Sequence, residues 1–282
     1  MLLNLLKTPI QKNLKQNRRQ NRLGLNTPYN KVKIARKYAT YYLNADTKHK
    51  VHSPLVYALV TDVLKKTNQS KNKEIESERK RLLSSKQTID FKDFGKSGTL
   101  FKRNISEIAK SSLKSKKYAK LLSQLVKHYK CKNILELGTS LGITTSYFAS
   151  NKDTQVITLE GDQSVHEIAK GIWNQLGYTN ITSLVGEFDL NLDKIPDHKY
   201  DLIYIDGNHS YEPTIRYYKE LLKKSHDQTI FVFDDIHYSK GMEKAWKEIQ
   251  KHETTSISID LFFLGIVFID PTLSQQQFTL KY

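Results

Sequence analysis

The stretch ILELGTSLGITT, Ile134–Thr145, begins as an apolar strand and turns through two glycines into the start of a helix. Glycines at such a turn let the backbone come close to a ligand, and a helix start offers unpaired N–H donors. The spacing is E-x-G-x-x-x-G, which differs from the G-x-G-x-x-G of dinucleotide-binding turns. An acid ahead of the first glycine, here Glu136, would repel a pyrophosphate but suits a ligand that carries an ammonium group.

The same rhythm continues downstream of this turn. Strands are predicted at Asn133–Leu137, Gln155–Glu160, Ile181–Val185, Asp201–Asp206 and Thr229–Phe233, with helices between them. One helix starts near Gly142. The next spans Ser164–Leu176, with a Ser164/Glu167 capping box, an apolar stripe of Val165, Ile168, Ile172 and Leu176, and Gly177 as terminator. Pro213 opens a third, and Met242, Trp246 and Ile249 stripe a fourth. Two last strands, Ser256–Leu261 and Gly265–Asp270, are too close in sequence for a crossover and should run antiparallel. The expected fold is α/β, a doubly wound, Rossmann-like sheet of seven strands over residues 116–282.

Upstream the pattern is helical. Ser53 is a candidate N-cap with Pro54 at the first helical position and Leu55, Leu59 and Val63 at helical spacing. Lys65–Lys86 reads as a surface helix, Thr88–Asn104 as a loop able to cover a site, and Ser106–Leu113 and Lys117–Tyr129 as two more helices. Residues 31–115 are therefore expected to form a helical N-terminal extension, and residues 1–30 a basic, flexible arm.

Charge is divided unevenly along the chain. Its 282 residues carry a net +16, yet residues 1–132 hold 32 Lys/Arg against 8 Asp/Glu, while residues 133–282 hold 13 against 21. The basic run KNLKQNRRQNR, Lys12–Arg22, could meet a polyanion such as nucleic acid or an anionic membrane. No aromatic residue interrupts that run to stack on bases, so a solvated tail is favoured over a nucleic-acid arm. The longest apolar run, Leu261–Ile269, is too short to span a bilayer, so no transmembrane helix is expected. The single cysteine, Cys131, excludes an internal disulfide and a cysteine-based metal cluster. MLLNLL at the start, followed by bases, lacks the order of a secretory signal; a transit peptide stays as a minor alternative to the expected cytoplasmic location.

In doubly wound sheets, ligands bind at the carboxyl ends of the strands. The second strand ends in Glu160 and Gly161, where an acid can accept hydrogen bonds from two ribose hydroxyls. The segments LELGTSLG, TLEGD and DLIYIDGNH resemble the class I S-adenosylmethionine-dependent methyltransferases. That resemblance implies S-adenosyl-L-methionine as cofactor. Glu136 and Gly138 would meet its methionine end, Glu160 its ribose, and VGEF, with Glu187 and Phe188, its adenine, with Thr139, Ser140, Gly142, Gly161 and Asp206 also among the cofactor-binding residues. The family often has Gly-Asp-Ala where this chain has Gly186, Glu187 and Phe188.

The fourth and fifth strands end in YIDGNH and FVFDDIH, so Asp206, Asp234 and Asp235 should converge. Neighbouring carboxylates need protons or a cation, and hard oxygen ligands suit Mg²⁺ or another divalent cation. The arrangement is similar to the metal-dependent O-methyltransferases related to the catechol enzymes, which implies an ion on Asp206, Asp234 and Asp235 that activates the substrate oxygen. His209 lies within reach of Asp206 as general base or further ligand, at an offset where the catechol enzymes have lysine. An acid after a strand is also a common turn former, so metal binding and turn formation both stay open for these residues. His237 and His52 read as structural.

HSPLVYALV, ISEIAKSSLKSKKYAKLL and FDDIHYSKGMEKAWKEI extend the resemblance to bacterial methyltransferases, those of Bacteroidetes in particular. The reading is an O-methyltransferase acting on a small-molecule hydroxyl. A nucleic-acid methyltransferase docking through the basic half and a non-catalytic module on the same fold are the alternatives. Against the former, DGNH stands after the fourth strand in place of an N-P-P-Y-like tetrapeptide. Monomer and homodimer are both left open.

Overall fold

Apolar residues alternate between the two faces of a central sheet, so helices must cover both. A computed structural model describes residues 24–47, 50–69, 72–92 and 100–282. In it Ile134, Leu202, Tyr204 and Val232 point into one buried layer, and Leu135, Leu137, Ile203, Ile205, Phe231 and Phe233 into the other. This period-two division, apolar on both sides, is what a parallel sheet between two helical layers demands.

The sheet has eight strands: β3 (Asn133–Leu137), β4 (Gln155–Glu160), β5 (Ile181–Val185), β6 (Tyr200–Ile205), β7 (Ser225–Asp234), β8 (Ile257–Asp260), β9 (Leu264–Phe268) and β10 (Gln276–Thr279). Their order is β10-β8-β9-β7-β6-β3-β4-β5. β3 to β7 are parallel, β9 runs antiparallel between β7 and β8, and β10 pairs parallel with β8. The eighth strand corrects the expected seven. Its sequence, QQFT, has no apolar alternation, and it pairs only at the sheet edge. The order reverses between β3 and β6, so the ligand crevice of such a sheet opens at the carboxyl ends of those two strands.

Helices α5 (Lys116–His128) and α6 (Ile143–Ala149) contribute Leu121, Leu122, Leu125 and Phe148 to one layer. On the other face, α9 (Tyr211–Leu222) and α10 (Lys240–Gln250) bring Tyr217, Tyr218, Leu221, Trp246 and Ile249. Helix α7 (Gln163–Gln175) starts one residue earlier than expected because Asp162, not Ser164, caps it: Asp162 Oδ1 accepts from Val165 N at 2.9 Å. Gly177 closes it at φ +71°, as expected of a terminator. Pro213 sits inside the first turn of α9 rather than at its opening, which Ser210 and Tyr211 provide. Among the described residues no helix is long and apolar enough to cross a membrane.

The N-terminal region is mostly helical: α1 (Lys31–Asn44), α2 (Pro54–Ala58), α3 (Lys73–Ser84) and α4 (Ile105–Ser112), with α8 (Phe188–Asn191) a short insert in the core. α2 passes through a π turn, Leu59–Val63, into a 3₁₀ segment, Leu64–Gln69. Helix α3 is no mere surface element, since Ile75, Glu78, Arg79 and Leu82 are buried. The expected Thr88–Asn104 loop is instead a hairpin of β1 (Thr88–Lys92) and β2 (Leu100–Asn104), with residues 93–99 outside the described ones. The basic arm falls largely on residues 1–23, also outside the described residues. Residues 24–30 are docked on the core: Tyr29 N donates to Tyr238 O at 2.9 Å and Gly241 N to Leu25 O at 2.7 Å.

Candidate active site

The turn after β3 is tied to the end of β4. Gly138 N and Thr139 N both donate to Leu159 O, at 3.0 and 3.1 Å. Ser140 N donates to Glu160 Oε2 at 2.7 Å, and Asp162 N to Glu160 Oε1 at 3.0 Å. Glu160 therefore joins the glycine turn to the start of α7. Burial pushes its carboxyl up, and the backbone amides of Asp162 and Ser140 pull it back. Each oxygen retains a lone pair for further donors, which is what two ribose hydroxyls would require.

Gly138, Ser140, Glu160 and Gly161 are half-buried along this edge, while Glu136, Thr139 and Gly142 lie beneath it. Strand alternation places Glu136 on the same face as Ile134, turned into the helical layer and not out to the crevice. Its Oε2 accepts from Thr145 at 2.5 Å and Thr158 at 2.7 Å, and its buried Oε1 has no partner among the described residues. Burial lifts the Glu136 carboxyl to about 8, against the pull of those two threonines. Gly142 is a packing glycine: a Cβ there would stand 2.7 Å from both Ala169 Cβ and Trp173 Nε1. Glu187 is exposed and Phe188 half-buried, its ring lying so close over Gly207 that a Cβ there would sit 2.3 Å from the ring.

Across the crevice, β6 and β7 deliver the acids. Tyr204 OH donates to Asp206 Oδ2 at 2.8 Å, and His209 Nε2 stands 3.6 Å from Asp206 Oδ1. Asp206, His209 and Asp234 each present a ligand-capable atom within 4.8 Å of the others. Asp235 does not join that set. It adopts φ +52°, a conformation Asp tolerates, and its backbone N–H donates to Phe263 O at 2.9 Å. Of the expected triad, Asp206 and Asp234 fall in this group together with His209, and Asp235 stands beside it.

A residue that the sequence reading did not single out completes the cluster. Lys114, between α4 and α5, extends its ammonium onto Asp234 Oδ1 as a buried ion pair. Burial alone would lower this ammonium, but Asp234, Asp206 and Asp235 hold it above its ordinary value. Burial likewise pushes Asp206 and Asp234 up, repulsion from Asp206 adds to the rise of Asp234, and Lys114 draws both down. No signal in SSLKSKK distinguishes Lys114 from its basic neighbours.

As a divalent-metal centre this arrangement fits poorly. An imidazole and two carboxylates are common divalent-ion ligands, but here the Asp234 oxygen is already engaged by an ammonium. His237, read as structural, bridges Asp260 Oδ2 at 2.7 Å and Glu243 Oε1 at 3.3 Å and stacks on Phe262. His52 is exposed.

Residues 135–236 match the model of a family described as a methyltransferase domain. No curated protein matches the sequence. Among solved structures, an O-methyltransferase of Bacillus cereus in complex with SAH superposes with TM-score 0.54 at 18% identity, covering 76% of this chain and 96% of its own. The O-methyltransferase TomG of Streptomyces achromogenes, involved in tomaymycin synthesis and bound to SAM, gives TM-score 0.53 at 17% identity, covering 74% and 96%. The SAH-bound methyltransferase PaMTH1 of Podospora anserina gives 0.53 at 14%, covering 86% and 97%. These likenesses establish the architecture. Residues 135–236 match a methyltransferase-domain model, and the chain shares the fold of these solved methyltransferases.

Proposed function

We propose that the protein transfers a methyl group from S-adenosylmethionine to the hydroxyl oxygen of a small molecule. The observation that carries this reading is the junction of the two halves of the crevice: a Cβ on Gly138 would lie 2.1 Å from the Asp206 carbonyl oxygen. The turn suited to the methionine end and the Asp206–His209–Asp234 group therefore share one cleft at the switch point of the sheet. The amide-held carboxylate of Glu160 at the edge of the turn fits a ligand with a ribose.

S-adenosylmethionine supplies an electrophilic methyl group on a sulfonium. Glu160 would hold the ribose, Gly138, Ser140 and Gly161 would shape the wall along it, and Phe188 with Glu187 would lie toward the adenine. His209 takes the acceptor proton at Nδ1, since Nε2 faces Asp206. Asp206, fixed by the Tyr204 hydroxyl, favours the imidazolium that results. Tyr29, Tyr238 and the Phe262–Phe263 turn crowd the neighbouring strand ends, and holding an acceptor in line there supplies much of the rate.

The test is a panel of phenolic, catecholic and aliphatic hydroxyl acceptors incubated with isotopically labelled S-adenosylmethionine. With an acceptor in hand, His209→Gln is expected to lower turnover by about 10²-fold or more while SAH affinity stays within a factor of about two. Unchanged turnover would remove His209 from the reaction.

A further inference from the structure

Lys114 stands where a cation is needed. Its side chain is 10% exposed and that of its partner Asp234 4% exposed, so this is an ion pair withdrawn from water. Uncompensated buried carboxylates are costly, and Asp206 and Asp234 lie together at the ends of β6 and β7. The ammonium answers that need from within the chain.

Its position is fixed from behind. Arg79 Nη1 donates to the Lys114 carbonyl at 2.6 Å, and Arg79 Nε pairs with Glu76 Oε1 at 2.9 Å. Tyr147 OH donates to that same Glu76 oxygen at 2.8 Å, which ties the assembly to α6 behind the glycine turn. Two residues before Lys114, Ser112 Oγ and Ser140 Oγ share a hydrogen bond of 2.7 Å. The lysine is thus held by buried groups of α3 and α6 at a site that its own flexible stem could not define.

We infer that the Lys114 ammonium is the resident cation of this cluster, taking the place of a divalent ion, so that the site works without metal. The inference shares its site with the proposed methyl transfer and rests on that reading for its catalytic meaning. A fixed ammonium beside Asp206 and His209 offers positive potential to an acceptor oxygen as it loses its proton, with no exchangeable ion to bind. A divalent ion at the same place would have to displace the ammonium from Asp234 or sit against its charge.

The experiment titrates Mn²⁺ into the full chain, followed by electron paramagnetic resonance, for the native protein and for Lys114→Ala, with Lys114→Met as a second variant should the alanine protein not fold. SAH binding is measured on the same samples. The expected result is no specific Mn²⁺ site in the native protein and one site in the variant, at least about tenfold tighter and removed by Asp206→Ala. Mn²⁺ bound at one site by the native protein overturns the inference, and so does its failure to bind either protein. Loss of SAH binding by all samples would defeat the methyltransferase reading while leaving the cation result to stand by itself.

Discussion

Gly138 and Asp206 meet backbone to backbone: the glycine, at φ +105°, leaves no space for a Cβ, which would lie 2.1 Å from the Asp206 carbonyl oxygen and 2.8 Å from its carbon. The neighbour is main chain and cannot swing away. Gly138→Ala should therefore combine left-handed strain with a clash and cost about 3 kcal/mol or more. Gly177, at φ +71° with nothing within 4 Å, isolates the strain alone, and its alanine variant should cost about 1–2 kcal/mol. Chemical denaturation of the two variants makes the comparison. Equal losses would mean that close approach is not what Gly138 provides.

Under the proposed function, Glu160 is the side chain on which nucleoside recognition depends. Its two oxygens are oriented by Ser140 N and Asp162 N, so its removal loosens the turn as well as deleting an acceptor. Hydrogen bonds to a charged group contribute about 1.5–3 kcal/mol, which sets an expected loss of tenfold to a hundredfold in SAH affinity for Glu160→Ala. Calorimetry on the variant is the check, and an unchanged affinity would refute the ribose assignment.

The docking of residues 24–44 onto the core is predicted to depend on pH. Tyr29 OH and Lys37 Nζ reach Glu243 at 2.9 and 2.6 Å, and His237 joins Glu243 to Asp260. Burial disfavours the His237 imidazolium, yet Asp260 and Glu243 raise it from 6.5 to about 9. Burial disfavours ionised Glu243, yet His237, Lys37 and Tyr29 lower it from 4.5 to about 2. For the raised histidine, the stabilisation is full below 6.5 and lost as pH rises through about 9; for the depressed glutamate it is full above 4.5 and lost as pH falls through about 2. Proteolytic release of the N-terminal segment should accelerate above about pH 9 in the native chain. In Glu243→Gln that alkaline step should shrink, and a profile identical to the native one would contradict this account of the docking.

Much of the architecture could be read in residues 133–268, because a parallel sheet buried on both faces writes itself as continuous runs such as NILEL, QVITLE and DLIYI. Their carboxyl ends then follow, which is how Gly138, Glu160, Asp206 and Asp234 could be placed at one edge before any coordinates. Strand β10 escaped because QQFT lacks that signature. The β1–β2 hairpin escaped because LFKRN in β2 does not alternate, although TIDFK in β1 does. The left-handed turn at Asp235 is a backbone matter that residue type alone does not announce. Lys114 is the plainest case: its role depends on a contact across 120 residues of sequence, which one lysine among many cannot signal.

Binding of S-adenosylmethionine in the crevice between β3 and β6 can be read without any acceptor, by calorimetric titration of the full chain with SAH. One SAH is expected to bind per chain, displaced by S-adenosylmethionine and weakened by Glu160→Ala. A folded native protein that takes up no SAH at concentrations up to about 1 mM, which corresponds to a binding free energy weaker than about −4 kcal/mol, would contradict it.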